Sequence, residues 1–491
     1  MAATANPDAP AGLRRDAIGL REVLFQSITD MAPGAAIAAS IPAGAALAGG
    51  SLPLSVIVAL VACLFCAWCI GLLAREMPSA GSMATYAARG LHPSLGFLVA
   101  WGYMLVGLLI PPLVLLQLGF TTASTLNSEF HSYPATLWWP WSLLGALIVL
   151  AAGYYGIRTS ARLGTVLGMF EIGVFLVLGI FLVFHAGSNN TLSVFTTKYT
   201  PAGFHGLAGI IGGSVFTLLA FGGFEGAAPL AEEARNPRRT IQRAVLLATL
   251  LIGALYVFTT YAVDVAYGPD KFAAFASETG RASWEGLARD LYGFFWFFVF
   301  LAIVNSTIAN ANAGVNVSSR TGYAMGRIGA FPRFLAVVSP RHRSPINSIF
   351  VAFIVTVAVT LVLGLKYTPI TAFAMVGTGL VIVLVAIYIL MNAACIGFFA
   401  RRRTGFRWLS HLVIPVLGIV TFVPAWLAAA GIKVFSFVTP LAPPLSYMGP
   451  GVAGFMILGV IYMIYLYRTA PQTITDVGLV HLDPLEELTP E

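Results

Sequence analysis

Residues 30–36 read Asp-Met-Ala-Pro-Gly-Ala-Ala, and residues 220–226 read Ala-Phe-Gly-Gly-Phe-Glu-Gly. Both stretches lie inside long apolar segments suited to crossing a bilayer, and both carry residues that interrupt a helix. In lipid, a backbone that leaves its helix must be buried in protein or line a wet cavity. Paired interruptions in the two halves of a membrane chain point to the substrate site of a transporter. We therefore expect a secondary transporter with its site between the two breaks.

The composition predicts an integral membrane protein. The 491 residues are 58% hydrophobic and only 10% charged, whereas soluble domains carry roughly 25% charged residues. The net charge of +7 is spread over loops between apolar segments, as membrane topology requires. For that reason the positive charge does not predict nucleic-acid binding.

The apolar segments predict an all-α polytopic membrane protein with about 12 transmembrane helices, because each crossing needs about 20 residues. We assign residues 1–15 to a cytoplasmic tail, residues 16–468 to the transporter domain and residues 469–491 to a disordered cytoplasmic tail. The spans are expected at residues 20–47, 52–74, 94–124, 138–157, 160–186, 205–231, 241–267, 290–324, 346–364, 369–400, 408–431 and 448–468.

The basic residues predict the orientation. With a cytoplasmic N-terminus, most of the 27 lysines and arginines fall in cytoplasmic loops, and only Arg281, Arg289 and the four lysines fall on the other side. This asymmetry follows the positive-inside rule. We expect a multi-pass protein of a bacterial cytoplasmic (inner) membrane with both termini in the cytoplasm.

The two breaks fall in the first and sixth spans, and each of these spans opens a group of five. Because five is odd, the second group is inverted with respect to the first, and two further helices follow. This repeat is inferred from spacing and breaks, not from letter-by-letter self-similarity. A packing kink without a ligand is the alternative for a single break, but two breaks in register favour a site.

The broken backbone suits a zwitterion. Pro33 lacks an amide hydrogen, and Gly34, Gly222 and Gly223 allow unwinding at low steric cost. The free N–H groups at the start of each second half-helix, with its positive dipole end, suit a carboxylate. The freed carbonyl groups suit an ammonium group.

Three of the acids within or beside the spans are candidates for a functional role. Glu171 is midway along the fifth span, where a charge costs about 2.5–3.5 kcal/mol on insertion scales. It is either a proton-coupling residue or a protonated acid bonded to a neighbouring helix. Asp30 and Glu225 flank the breaks, where each can bind a substrate amine or hold free backbone amides, and we prefer the second role for Glu225.

No pattern predicts an enzyme, a cofactor or a metal site. Cys63, Cys66 and Cys69 share a helical face, but without a second ligand cluster they are better explained as packing residues than as metal ligands. Metalloprotease, phosphate-loop and hydrolase motifs are absent from the sequence. A membrane-embedded enzyme would need a cluster of acids or histidines, and a channel would need repeated filter residues.

Three sets of motifs carry a family resemblance. Residues 75–86 (REMPSAGSMATY) are similar to an E-x-P-x-x-G-x-x-x-x-Y segment, and residues 221–239 combine a G-F-[DE] break with an A-E-E-x-x-N-P-x-R loop. Residues 319–327 (SRTGYAMGR) and 344–347 (SPIN) are similar to an S-R-x-x-x-A-M-x-R stretch and the x-P-x-N start of the ninth span. On these motifs the chain resembles the amino acid–polyamine–organocation superfamily from about residue 15 to about residue 465.

The resemblance implies a LeuT-like 5+5 inverted repeat with two extra helices, alternating access and a substrate site between spans 1 and 6. It implies that the backbone around Ala35, Ala36 and Ile37 meets the substrate carboxylate. The backbone from Phe221 to Gly223 would meet the amine. It also suggests as gating residues Phe216, Leu219, Glu232, Glu233, Arg238 and Arg320.

The expected function is proton-coupled uptake of amino acids or related amines. Some relatives carry a lysine in span 5 that substitutes for a sodium ion, and Glu171 is at the matching position, which favours protons over sodium. An amino acid or amine exchanger and a polyamine permease are the alternatives. The apolar candidate pocket favours a neutral side chain, although Asp30 leaves a cationic substrate open. The expected partners are a small-molecule substrate, a coupling proton and the lipid bilayer.

Overall fold

The structure is a computed structural model that describes residues 18–79, 81–155, 161–231, 234–280, 283–339, 342, 344–402 and 405–477, without the side chains of residues 161–164. Within these residues there is no β-strand, and the one β-interaction is an isolated bridge between Ile18 and Ala234. The predicted all-helical architecture is therefore confirmed.

Ten helical segments among the described residues are long and apolar enough to cross a membrane. The first of them, Leu20–Glu76, contains two predicted spans, and the helix Trp139–Tyr155 is apolar but shorter. Helices are numbered here as α1 Leu20–Met31, α2 Leu52–Glu76, α3 Ser82–Gly90, α4 Pro93–Glu129, α5 Trp139–Tyr155, α6 Ala161–Ala186, α7 Leu207–Phe221, α8 Pro237–Tyr267, α9 Trp284–Tyr292, α10 Phe295–Arg327, α11 Ile346–Lys366, α12 Pro369–Arg402, α13 Ile414–Ala430, α14 Met448–Thr469 and α15 Pro471–Asp476.

The long helices surround the two interrupted segments. Helix α4 packs against α10 and α12, and α2 packs against α7 and α8. Most side chains in the core are aliphatic or small, so helix backbones approach closely, as is common in membrane bundles. All four cysteines are free and buried, and no group of metal-ligating side chains occurs among the described residues.

The C-terminal tail differs from the prediction of disorder that begins at residue 469. Helix α15 forms directly after α14, and its Ile474 is fully buried, as is most of Val477. Two apolar side chains that can be buried on the bundle explain why this part of a polar tail is ordered. Residues 478–491 lie outside the described residues.

Candidate substrate site

The first break separates α1 from a short helical piece, Pro33–Ala35. Ala32, between them, has left-handed backbone angles of φ 45° and ψ 66°, and Pro33 then restarts the helix without an N–H group. A Cβ on Gly34 would lie 3.0 Å from the carbonyl oxygen of Ala302 in α10. Glycine is therefore needed where the break passes α10.

The second break separates α7 from a 3-10 helix, Phe224–Leu230. Gly222 is extended, with φ −53° and ψ 132°, and Gly223 has φ 109°, a conformation that side chains other than glycine rarely adopt. A Cβ on Gly223 would lie 2.5 Å from the carbonyl carbon of Asp30. The two breaks are therefore in direct contact.

Tyr256 in α8 joins the two breaks from one side. Its hydroxyl oxygen lies 3.2 Å from the Met31 carbonyl oxygen and 3.1 Å from that of Ala220. Because a hydroxyl has one proton, it donates to one carbonyl at a time. The ring is fully buried and packs edge-on against Phe221, with 5.3 Å between centroids.

Ser27 joins the segments on the other side of the breaks. Its hydroxyl donates to the Phe224 carbonyl oxygen and accepts from the Ala227 N–H, both across 2.9 Å. Further along, the N–H of Arg235 donates to the Ile18 carbonyl oxygen across 2.8 Å. These hydrogen bonds hold α1 against the segment that follows the second break.

Glu171 reaches the first break from α6. One of its carboxylate oxygens accepts from the backbone N–H of Gly34 across 3.3 Å, and the other accepts from the Asn305 side-chain amide of α10. The side chain is only 4% exposed. The acid predicted from the sequence therefore connects α6, the break and α10.

A cavity with an empty volume of about 680 Å³, part of it open to solvent, lies where the breaks meet. Of the predicted substrate residues, Ala35, Ala36, Gly222 and Gly223 line it, as does the predicted gating residue Leu219. The other lining side chains and backbone come from Asp30, Met31, Ala32, Ser40, Tyr103, Val106, Ile110, Leu113, Val114, Ala220, Glu225, Asn310, Ala313, Val317, Leu380 and Leu384.

The other candidates that the structure describes do not line the cavity. Pro33, Gly34, Ile37, Phe216 and Phe221 are buried but do not line the cavity. Among the other predicted gating residues, Arg238 and Arg320 are exposed. Glu232 and Glu233 lie outside the described residues.

The two cavity acids have different surroundings. Glu225 accepts from the hydroxyl of Tyr388 across 2.8 Å and from the N–H of Gly223 across 3.1 Å. Asp30 accepts at one oxygen, from the Gln26 side-chain amide across 3.0 Å. Glu225 thus holds a backbone amide freed by the second break, the role we preferred for it.

Two of the three residues that hold the breaks, Tyr256 and Gln117, were not singled out from the sequence, whereas Asn310 is one of the polar residues that set the eighth predicted span apart. Besides Tyr256, the side-chain amide of Gln117 in α4 donates to the Ala35 carbonyl oxygen across 3.0 Å, and that of Asn310 donates to the Asp30 carbonyl oxygen across 2.9 Å. Gln117 carried a usable signal, since it is a single amide in an apolar run. Tyr256 carried none, because tyrosine is common in membrane helices.

Comparison with known proteins gives a family match over most of the chain. The family model described as "Amino acid permease" matches residues 22–475. The range includes both breaks, Glu171 and every residue that lines the cavity.

Individual relatives have low sequence identity to this chain, but the matches cover most of its length. The low-affinity putrescine importer PlaP of Escherichia coli K12 is 27% identical over 401 residues, which cover 77% of this chain and 81% of the relative. An uncharacterized transporter of Mycobacterium tuberculosis is 29% identical over 345 residues, or 70% of this chain and 72% of the relative. The branched-chain amino acid permease BcaP of Bacillus subtilis is 26% identical over 317 residues, or 62% and 65%.

Proposed function

The chain belongs to the amino acid permease family, and from this premise we propose that it is a secondary active transporter that takes up amino acids or related amines by alternating access. Members of this family are transporters and not enzymes. The observation that carries the proposal is the cavity at which both helix breaks meet. Unwound backbone beside a cavity in the middle of a helical bundle is the arrangement with which transporters bind polar solutes.

The proposed fold is the LeuT-like 5+5 inverted repeat with two extra helices. Dividing Leu20–Glu76 after Ser51 and including α5 extends the ten long segments to twelve spans. The interrupted helices are then the first and sixth spans, as two inverted repeats require. Both termini lie in the cytoplasm in this arrangement, which the distribution of arginines supports.

The proposed coupling ion is the proton, and the proposed coupling residue is Glu171. Its carboxylate accepts the Gly34 N–H at the first break and the Asn305 amide of α10. A protonated carboxyl group keeps fewer acceptor sites for these donors and gains a donor of its own. Proton binding would therefore change the hydrogen bonds that connect Glu171 to the first break and to α10. A local change of this kind can shift the equilibrium between two conformations of a protein.

The alternative within the same fold is an exchanger, and a polyamine permease is the second candidate for the substrate. Two acids at the cavity, Asp30 and Glu225, favour amines, and the relative PlaP is named a putrescine importer. BcaP, by contrast, is named a branched-chain amino acid permease. The family alone thus leaves both substrate classes in the proposal.

The test is uptake of radiolabelled amino acids and amines into proteoliposomes, with and without an inward proton gradient. We expect one substrate class to accumulate with the gradient in wild type. Glu171→Gln should lose this stimulation while counterflow exchange survives. The control is Asp264→Asn in α8, which removes a buried acid that does not line the cavity. Uptake that depends only on internal substrate, in wild type and both variants, would instead indicate an exchanger.

A further inference from the structure

The cavity has an acidic end, and two of its helical walls are aliphatic beyond that end. On α4, Tyr103 lies near the carboxyl group of Glu225, and the lining continues through Val106 and Ile110 to Val114. Eleven residues of α-helix rise about 16 Å. The acidic end is therefore separated from the far end of this aliphatic wall by a length greater than that of a small amine.

Helix α12 shows the same polarity. The hydroxyl of Tyr388 donates to Glu225 at the acidic end. Leu384 and Leu380 lie one and two helical turns further along and line the cavity. On both helices the side chains become aliphatic with increasing distance from Glu225. The cavity therefore has one region that suits a charged group and a longer region that suits an apolar group.

Asp30 is the acid with room for a ligand. Its one hydrogen bond within the described part of the chain comes from Gln26, whereas Glu225 is held by Tyr388 and Gly223. The other carboxylate oxygen of Asp30 packs against Gly226, no hydrogen bond to it is found among the described residues, and Asp30 itself lines the cavity. The cavity therefore presents one carboxylate whose acceptor capacity is unfilled.

Cationic side chains do not compete for this carboxylate at short range. No lysine, arginine or histidine of the described residues lines the cavity. The positive charge of Arg320 attracts the Asp30 carboxylate from a distance, but Arg320 is exposed to solvent. An ammonium ion that enters the cavity would be the closest counter-charge of Asp30.

Two backbone N–H groups of the first break are already bonded within the protein. The N–H of Gly34 is bonded to Glu171 across 3.3 Å, and the N–H of Ala36 is bonded to the Ala32 carbonyl oxygen across 2.9 Å. Pro33 has no N–H group. A carboxylate placed here would also be repelled by the two cavity acids.

We propose that the preferred substrate is an organic monoamine with an apolar tail, and that the Asp30 carboxylate binds its ammonium group. The tail would lie along the aliphatic walls of α4 and α12. An α-amino acid is disfavoured by its carboxylate, and a short diamine by the desolvation of its second ammonium group among aliphatic side chains. This inference rests on the proposed transport function and specifies the substrate class at the same cavity.

The test is equilibrium binding to the purified full-length protein in detergent. The probe is β-phenylethylamine, compared with phenylalanine, which adds a carboxylate, with putrescine, which adds a second ammonium, and with 2-phenylethanol, which removes the charge. We expect β-phenylethylamine to bind at least tenfold more tightly than each of the other three. Equal or tighter binding of phenylalanine, putrescine or 2-phenylethanol would overturn the proposal.

Two variants test the two ends of the cavity separately. Asp30→Asn should weaken β-phenylethylamine binding at least tenfold, while the control Asp264→Asn leaves it unchanged. Leu113→Phe should weaken β-phenylethylamine binding at least fivefold and leave n-propylamine binding unchanged, because it shortens only the apolar part. If Asp30→Asn does not elute as a folded protein in size-exclusion chromatography, Leu113→Phe still decides, and an equal loss for both amines would contradict the proposal.

The failure of this inference differs from the failure of the proposed function. A protein that binds and accumulates phenylalanine in proteoliposomes is an amino acid transporter, which overturns only the assignment of the substrate class. A protein that binds β-phenylethylamine but transports no compound of the panel retains the assigned site and contradicts the transport function.

Discussion

The backbone N–H of Gly34 donates a hydrogen bond to a carboxylate oxygen of Glu171 across 3.3 Å. The first residue is inside the broken part of the first span, and the second is midway along α6. A change at either one reaches the other without any intervening side chain. Through this contact the protonation state of Glu171, which does not itself line the cavity, can reach the first break.

Gly34→Ala should damage this contact. The added methyl group would lie 3.0 Å from the Ala302 carbonyl oxygen and 3.1 Å from Cβ of Ser306, and overpacking of this kind costs about 1–3 kcal/mol. We expect a lower apparent melting temperature and a loss of most uptake. Gly173→Ala in α6 is the matched control, because nothing lies within 4 Å of its added Cβ. Equal behaviour of the two variants would show that the contact is dispensable.

Tyr256→Phe should uncouple the two breaks while keeping the ring in place. The variant loses a hydroxyl that lies within 3.2 Å of two backbone carbonyl oxygens, and a lost buried hydrogen bond costs about 1 kcal/mol. Initial uptake rates should fall several-fold with a small change in melting temperature.

The control for Tyr256→Phe is Tyr261→Phe on the same helix. The Tyr261 hydroxyl bonds Asn190, in the loop after α6. This second variant should keep wild-type transport. Normal uptake by Tyr256→Phe would mean that the breaks are held by their own backbone geometry.

Gln117→Leu should weaken substrate binding. The side-chain amide is 1% exposed and donates to the carbonyl oxygen of Ala35, a cavity residue. Without it, a buried carbonyl loses its donor, at a cost of about 1–3 kcal/mol. We expect KM for uptake to rise several-fold. Thr125→Val on the same helix is the control, because this buried hydroxyl has no partner among the described residues, and its KM should stay unchanged.

The breaks were predictable from the sequence because their cause is local. Pro33 removes an N–H group and Gly223 permits a positive φ wherever the chain places them. The presence of the long apolar helices was equally predictable, since the thickness of the bilayer sets the length of the apolar segment that each crossing needs. Glu171 could be singled out for a similar reason, because a lone acid in an apolar segment is costly.

The orientation of residues around the breaks was not predictable in the same way. Leu219 lines the cavity and Phe221 does not, although both were candidates. Two residues along an α-helix are separated by about 200° around its axis, so only one of them faces a given side. After the break the regular period no longer applies, and long-range contacts such as Tyr256 with Met31 decide the register.

Glu285 in α9, outside the long apolar segments, should make stability depend on pH. Burial raises the pKa of this carboxyl group, and the Ser283 hydroxyl, which donates to it, opposes the shift only in part. The folded state therefore binds the proton more tightly than the unfolded chain, whose glutamates titrate near about 4.3. Stability contributed by the protonated form is complete below that value and is lost as the pH rises through the higher value of the folded state.

Glu285→Gln should remove this pH dependence, because the amide does not ionise. We expect the apparent melting temperature of wild type in detergent to fall more between pH 5 and pH 8 than that of Glu285→Gln. The control is Asp290→Asn, which changes an exposed acid of the same helix and should follow wild type. Parallel curves for wild type and Glu285→Gln would show that the carboxyl group of Glu285 ionises in the folded protein without a penalty.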